Sequence, residues 1–139
     1  MANLSGQLRP GMGFLLPVSV SPPNLCVLGK PLPPSTVKTV ALIDTGTKKT
    51  CLATKLIQKL GLPRSQSSID FQSAMYHGPA QVHFIDFILP FNGTSHIFPH
   101  LEVLEISFDA GDIEVLLGLD ILCQGIFIIN ADKSFSFAL

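Results

Sequence analysis

The sequence has little charge and no strongly basic segment. Only 14% of its 139 residues are Asp, Glu, Lys or Arg, and the formal net charge is −1. Nucleic-acid-binding proteins need basic patches for the phosphate backbone, so this composition argues against a nucleic-acid partner. Because 47% of the residues are hydrophobic, the sequence instead predicts one domain with a well-packed core.

Long apolar runs and secretion signals are also missing. The apolar runs are far shorter than the roughly 20 residues that cross a membrane, so we expect no membrane partner. Residues 13–20 are apolar, but Pro17 interrupts them, and they lack the basic start and cleavage site of a signal peptide. The three cysteines (Cys26, Cys51 and Cys123) form no close pairs, which indicates reduced thiols and a cytoplasmic protein.

Short apolar segments separated by Gly and Pro predict many strands and few helices. We expect residues 1–12 to be a flexible N-terminal arm and residues 13–139 to form the domain. Residues 29–35 contain three prolines and predict a rigid loop. Leucines spaced by four over residues 52–60 predict a helix that ends at Gly61. Strands without regular helix–strand alternation predict an all-β closed barrel or sandwich.

One apolar segment ends abruptly in an acidic residue. Residues 40–47 read Val-Ala-Leu-Ile-Asp-Thr-Gly-Thr, so Asp44 follows a predicted buried strand. A carboxylate in that position is costly unless it is hydrogen-bonded or used. Gly46 allows a tight turn and close approach, while Thr45 and Thr47 provide hydroxyl groups. The alternative is an ordinary strand-to-turn residue, because Asp-x-Gly turns are common.

A second motif lies near the C-terminus, where residues 115–122 read Val-Leu-Leu-Gly-Leu-Asp-Ile-Leu. Residues 42–47 and 116–118 together resemble the motifs of retropepsin-like aspartic peptidases, the single-domain relatives of retroviral proteases. The resemblance extends over residues 14–139. It implies an all-β, retropepsin-like closed barrel or sandwich with one or two short helices, active as a two-fold homodimer.

The resemblance implies an aspartic endopeptidase with Asp44 as its catalytic residue. The chain contains one Asp-Thr-Gly sequence, so a second copy must supply the other carboxylate. The ionised member of such a pair activates water, and the protonated member polarises the scissile carbonyl. Thr45 is expected to brace the loops across the two-fold axis, Gly46 to allow close approach, and Thr47 to contact the outer carboxylate oxygen. A polypeptide substrate is implied, and no cofactor or metal.

Two further segments receive roles from the resemblance. Leu117 and Gly118 form the supporting loop, in which the glycine lets its strand pack against the active-site loop. Residues 75–79 would be the tip of a flap that closes over substrate, although an ordinary surface hairpin is the alternative. The residues expected to contact substrate there are Met75, Tyr76, His77 and Gly78.

Three alternatives to this function follow from the sequence. The first is a catalytically silent dimerisation or peptide-binding module on the same fold, because fold alone does not prove activity. The second is a metal site, since His96 and His100 have the spacing of helical ligands, although this region is predicted to be a strand. The third is a nucleophile mechanism, which lacks a Gly-x-Ser-x-Gly motif. Residues 109–111 (Asp-Ala-Gly) imitate the active-site loop but follow no apolar strand.

Overall fold

The structure, a computed structural model, describes residues 3–73, 76–91 and 93–139. Most of these residues lie in strands. The strands are β1 (Asn3–Arg9), β2 (Gly13–Ser21), β3 (Val37–Ile43), β4 (Cys51–Ala53), β5 (Ser68–Gln72), β6 (His77–Phe91), β7 (Thr94–Ile106), β8 (Ile113–Leu117), β9 (Ile126–Ile129) and β10 (Ser134–Ala138). The two helices are α1 (Thr54–Leu60) and α2 (Leu119–Leu122).

Six of the strands close into a barrel. Neighbouring strands pair in the order β6, β7, β4, β8, β3 and β2, and the pairing of β2 with β6 closes the ring. Strand β5 extends β6 as a hairpin, while β1, β10 and β9 continue the sheet beyond β2. The predicted all-β barrel with two short helices is therefore confirmed.

Strand β8 is the most deeply buried strand that contacts β3, and it pairs with β3 on one side and β4 on the other. All five residues of β8 are buried, as expected for a strand that pairs on both sides and is covered on both faces. Its side chains divide between two apolar clusters, with Val115 and Leu117 in the larger one and Leu116 in the smaller one. Strand β3 pairs with this buried strand from Val40 to Ile43, while its last two residues are themselves partly buried.

Helix α1 ends where the sequence predicts. Helix α1 ends at Gly61, which has a left-handed φ of 66°, and the Gly61 N–H donates to Gln58 O (3.0 Å). Leu56 and Leu60 form its buried face, whereas Leu52 belongs to β4. Neither helix of the described chain has the length and apolar character that a membrane crossing requires.

Residues 3–9, which were expected to belong to a flexible arm, form a paired strand instead. Strand β1 runs antiparallel to β10, with Leu4 opposite Phe137 and Gly6 opposite Phe135. A Cβ atom at Gly6 would lie 2.6 Å from the Phe135 ring, so only glycine leaves room for that ring. The segment looks polar in the sequence because its outward residues are polar and its inward face combines one buried leucine, Leu4, with a glycine.

A buried carboxylate fixes the start of the connection between β2 and β3. Asp86 accepts the backbone N–H groups of Asn24 (3.0 Å), Leu25 (3.0 Å), Cys26 (2.9 Å) and His100 (3.0 Å). Burial by itself would raise the pKa of Asp86, but these four donors outweigh it and hold the pKa below its ordinary value. The carboxylate is therefore stable in its charged form.

We expect Asp86→Asn to lower the free energy of unfolding at neutral pH by about 2 to 3 kcal/mol, because one amide oxygen replaces two charged acceptors. The folded-state pKa is depressed, so the contribution of Asp86 is present above the ordinary value of 3.8 and is lost as the pH falls through the folded-state value. Urea unfolding at neutral and acidic pH measures the difference, which should narrow in acid. Asp112→Asn, at an exposed acid, is the control, and equal losses for the two variants would contradict the prediction.

Candidate active site

The two sequence motifs meet at the carboxyl end of β3. Strands β3 and β8 are parallel, with Leu42 opposite Leu116 and Ile43 opposite Leu117. The Asp44 N–H continues this ladder and donates to Leu117 O (3.0 Å). The residues predicted to form the active-site loop and the supporting loop are therefore adjacent in space.

The Asp44 carboxyl group has one satisfied and one unsatisfied oxygen. Its Oδ1 atom accepts the Gly46 N–H (2.8 Å). Its Oδ2 atom is buried and has no hydrogen-bond partner among the described residues. The Oδ1 contact is the Asx turn expected of an ordinary Asp-x-Gly residue, but it does not account for Oδ2, because a buried acceptor without a partner is costly.

Thr45 and Thr47 face opposite directions. Thr45 and Gly46 are exposed, whereas Thr47 is buried. The Thr47 hydroxyl donates to Lys49 O (2.9 Å). The expected contact from Thr47 to the outer oxygen of Asp44 is therefore not formed, because a hydroxyl has a single proton to donate and the loop backbone takes it.

Gly118 lies directly against the Asp44 loop. A Cβ atom at Gly118 would lie 2.8 Å from Lys49 C and O and 3.0 Å from Thr47 O. The next two amides continue the contact, since Leu119 N–H donates to Thr47 O (2.9 Å) and Asp120 N–H donates to Lys48 O (3.1 Å). Any larger residue at Gly118 would push the two loops apart.

A side-chain pair that the sequence reasoning missed locks this contact. The Thr50 hydroxyl donates to Asp120 Oδ1 (2.8 Å) and accepts the Gly118 N–H (3.2 Å). The Thr50 N–H donates to Asp120 Oδ2 (3.0 Å). The available signal was a polar residue shortly after each motif, with Thr50 directly before the apolar residues 51–53 and Asp120 two positions after the glycine.

Cys51 lies beside this site as a protonated thiol. Its side chain is fully buried, and burial raises the pKa of the thiol to about 12. The thiolate form that a cysteine nucleophile requires is therefore scarce at neutral pH. A buried, structural thiol agrees with this environment.

The hairpin of β5 and β6 is the segment interpreted as a flap. Gln72 pairs with His77, and the Ser73 N–H donates to Tyr76 O (2.7 Å). The contact between Ser73 and Tyr76 therefore closes the hairpin earlier than the predicted tip at 75–79, because β6 already begins at His77, before Gly78 and Pro79. Met75 lies outside the described residues.

The other predicted flap residues have different surroundings. Tyr76 is half-buried, packs against the smaller apolar cluster and donates its hydroxyl to Pro79 O. That cluster also contacts Leu42, two positions before Asp44. His77 is exposed, and Gly78 has a φ of +148° in the strand. The hairpin is thus connected to the Asp44 region through apolar packing.

The histidines lie in strands rather than on a helix. His96 and His100 are both in β7, where residues four apart are separated by about 13 Å, too far to share a metal ion. His96 packs against Phe91 and Phe98, while His100 stacks on Phe84 at a ring distance of 4.4 Å. Within the described ranges, no group of three His, Cys, Asp or Glu residues is placed to hold a metal ion.

Comparison with known proteins identifies the fold. No protein-family model and no curated protein sequence matches this chain. A retropepsin-like aspartic protease from Rickettsia conorii matches with a TM-score of 0.62 at 17% identity, over 97% of this chain and 89% of that chain. This similarity shows that the chain has the retropepsin-like fold, and it confirms at the level of fold the resemblance seen in residues 42–47 and 116–118.

Two further solved structures match at lower scores. The foamy viral protease-reverse transcriptase in complex with an RNA/DNA hybrid gives a TM-score of 0.46 at 14% identity, over 79% of this chain and 12% of that chain. The retroviral protease-like domain of Ddi1 from Leishmania major gives 0.42 at 14% identity, over 91% of this chain and 95% of that chain.

We expect Thr50→Val to destabilise the protein by about 2 kcal/mol, because the isosteric change leaves the buried Gly118 N–H without its acceptor. The matched control is Thr36→Val, since the Thr36 hydroxyl is buried without a hydrogen-bond partner among the described residues. That change should leave stability equal or slightly higher. Urea unfolding compares the two variants, and equal effects would show that the Thr50 pairing contributes nothing.

Proposed function

We propose that this chain is an aspartic endopeptidase whose catalytic dyad is Asp44 and the partner subunit's Asp44. The observation that carries the proposal is the Asp44 carboxyl group, which follows a central strand and keeps a buried oxygen without a partner. The retropepsin-like fold supports the same proposal, because the resemblance of residues 42–47 to the motif of that family implies a catalytic role for Asp44. An unsatisfied acceptor beside an exposed Thr45–Gly46 turn is suited to receive a second carboxyl group.

A single chain offers half of the chemistry. Amide hydrolysis needs a base for the attacking water and an acid near the scissile bond. Asp109 is no substitute, because its side chain is exposed, accepts the Gly111 N–H (3.3 Å) and lies 3.7 Å from Lys55 Nζ. Two facing Asp44 carboxyl groups would share one proton, since adjacent like charges do not ionise together.

The surrounding residues would then have distinct roles. Thr45 is exposed and free to hydrogen-bond across the two-fold axis. Gly46 holds Oδ1 through its amide, which leaves Oδ2 for the water or the second carboxyl group. Thr47 does not polarise the acid but fixes the loop through Lys49 O. Leu117 accepts the Asp44 N–H, and Gly118 packs against the backbone of Thr47 and Lys49, so both residues hold the loop in position.

Strand β9 is the surface that supports dimer formation. Within the described chain it pairs with β10 alone and leaves its outer edge open. Its sequence is Ile-Phe-Ile-Ile, with Ile126 and Ile129 more than half exposed (58% and 56%). Uncharged, apolar edge strands pair readily with another strand, and an isologous pairing of two β9 edges would form a continuous sheet.

The substrate would be an extended polypeptide held between the protomers. The β5–β6 hairpin, including Tyr76, His77 and Gly78, would cover it and exclude water. Met75 is proposed as a contact of the same flap. Neither metal nor cofactor enters this reaction. The three unpaired cysteines support a reducing, cytoplasmic location.

We expect Asp44→Asn to reduce cleavage of a peptide library by at least about a thousandfold, because the dyad loses its ionisable group. The control is Asp109→Asn, which should retain full activity. A statine-type inhibitor, which mimics the tetrahedral state, should block the parent protein.

Mixing parent and Asp44→Asn chains distinguishes an active site shared between two subunits from one that is complete in each chain. When equal amounts of parent and Asp44→Asn chains exchange subunits, about one quarter of the dimers keep both carboxyl groups. Activity should fall to that fraction, whereas a fall to one half would mean that each chain acts alone. A parent protein that binds peptides of the library without cleaving them would instead favour the silent module.

We expect Ile128→Lys to weaken the dimer and to reduce activity at low protein concentration, because a charge on β9 would be buried in the proposed interface. Ile128 is exposed in the single chain, so the monomer fold should be preserved. Leu28→Lys, at another exposed apolar residue, is the control. Analytical ultracentrifugation measures the dimer dissociation constant. An unchanged constant would remove β9 from the interface.

A further inference from the structure

The connection between β2 and β3, residues 22–36, has no part in the proposed active site. It holds five of the eleven prolines of the chain, at positions 22, 23, 31, 33 and 34. It contains no helix or strand, and connections longer than about 12 residues without secondary structure usually have a function of their own.

The two halves of this connection differ in how they are held. Asn24, Leu25 and Cys26 are fixed by their hydrogen bonds to Asp86. Beyond them the chain faces solvent, and the Leu28 side chain is 88% exposed. Among the described residues, the backbone hydrogen bonds of residues 27–36 are two local turns, from Lys30 N–H to Val27 O (3.1 Å) and from Thr36 N–H to Pro33 O (3.0 Å).

Residues 30–34, Lys-Pro-Leu-Pro-Pro, are the centre of the exposed half. We name them the proline segment. Pro31, Leu32 and Pro34 are exposed in it. Lys30, Pro31 and Leu32 form one wall of a cavity of about 390 Å³, whose other wall includes Thr94 and Ile97 at the start of β7.

The sequence of the proline segment restricts its backbone before any partner arrives. Each proline fixes its own φ near −65° and moves the preceding residue toward the extended region. Lys30, Leu32 and Pro33 all precede a proline. The segment is therefore biased toward the polyproline II helix, which has three residues per turn and places Pro31 and Pro34 on one face.

We propose that the proline segment binds a proline-recognition domain, a protein module that holds a polyproline II helix in a groove lined by aromatic side chains. Three observations carry this inference. The prolines recur after one turn of that helix, they are exposed, and their fixed φ angles restrict the backbone so that little order is lost on binding.

The positive charge of Lys30 further defines the kind of domain that the proline segment would bind. Lys30 is exposed and directly precedes Pro31. A basic residue at the end of a polyproline helix is recognised by an acidic side chain beside the aromatic groove. The expected partner is therefore a domain with both features, and it would attach to a face distinct from the Asp44 site.

The test uses the full chain carrying Asp44→Asn, so that no probe is cleaved. The probes are purified SH3, WW and EVH1 domains, including members with an acidic residue beside the groove, and biolayer interferometry measures their affinities. At least one domain should bind, and Pro31→Ala combined with Pro34→Ala should weaken that binding about tenfold or more. Lys30→Glu should weaken binding most for the acidic domains.

The matched control is Pro90→Ala combined with Pro99→Ala, two exposed prolines in β6 and β7. It should bind as the parent does. Circular dichroism checks that each variant is folded. The proposal is overturned if no domain binds the parent chain, or if the Pro31/Pro34 variant binds as well as the control. Either result leaves the peptidase proposal standing, because cleavage is measured separately.

Discussion

The contact between the Asp44 loop and the Gly118 turn is the constraint on which the rest of the structure depends. Backbone atoms form it, through the Asp44 N–H on Leu117 O and the Leu119 N–H on Thr47 O. The absence of a side chain at Gly118 permits the approach. Because main-chain atoms on both sides are also part of the barrel ladder, the position of the acid is set by the whole fold and not by a flexible side chain.

This arrangement separates two tasks that polar residues perform. Thr50 and Asp120 hydrogen-bond to each other, and Thr47 donates to the loop backbone at Lys49 O, so these residues stabilise the fold. One oxygen of Asp44 accepts a hydrogen bond from its own loop, and the other has no partner among the described residues. A protein tolerates such an unsatisfied group where other interactions outweigh its cost, and functional sites are where this is commonly found.

The sequence predicted the features that depend on local chemistry. A few neighbouring residues are enough to recognise the strand that ends at Asp44 and the helix that ends at Gly61. Prediction from the sequence failed where a residue's contact lies far away along the chain or where a residue acts by having no side chain. Strand β1 was missed because Gly6 contributes space for Phe135 and no apolar side chain, and the predicted flap tip at residues 75–79 was misplaced because Gly78 and Pro79 lie inside β6. The Thr50–Asp120 pair joins residues 70 positions apart, which no local pattern specifies.

The pairing of β1 with β10 has a consequence for how the molecule is made. Leu4 finds its partner strand at Phe137, across almost the entire printed sequence. Closing so large a loop is slow, and it is impossible while the later residues are still inside the ribosome. The extension of the sheet beyond β2, formed by β1, β10 and β9, is therefore completed only after translation has passed β10, whereas the six barrel strands are all present once β8 has been made.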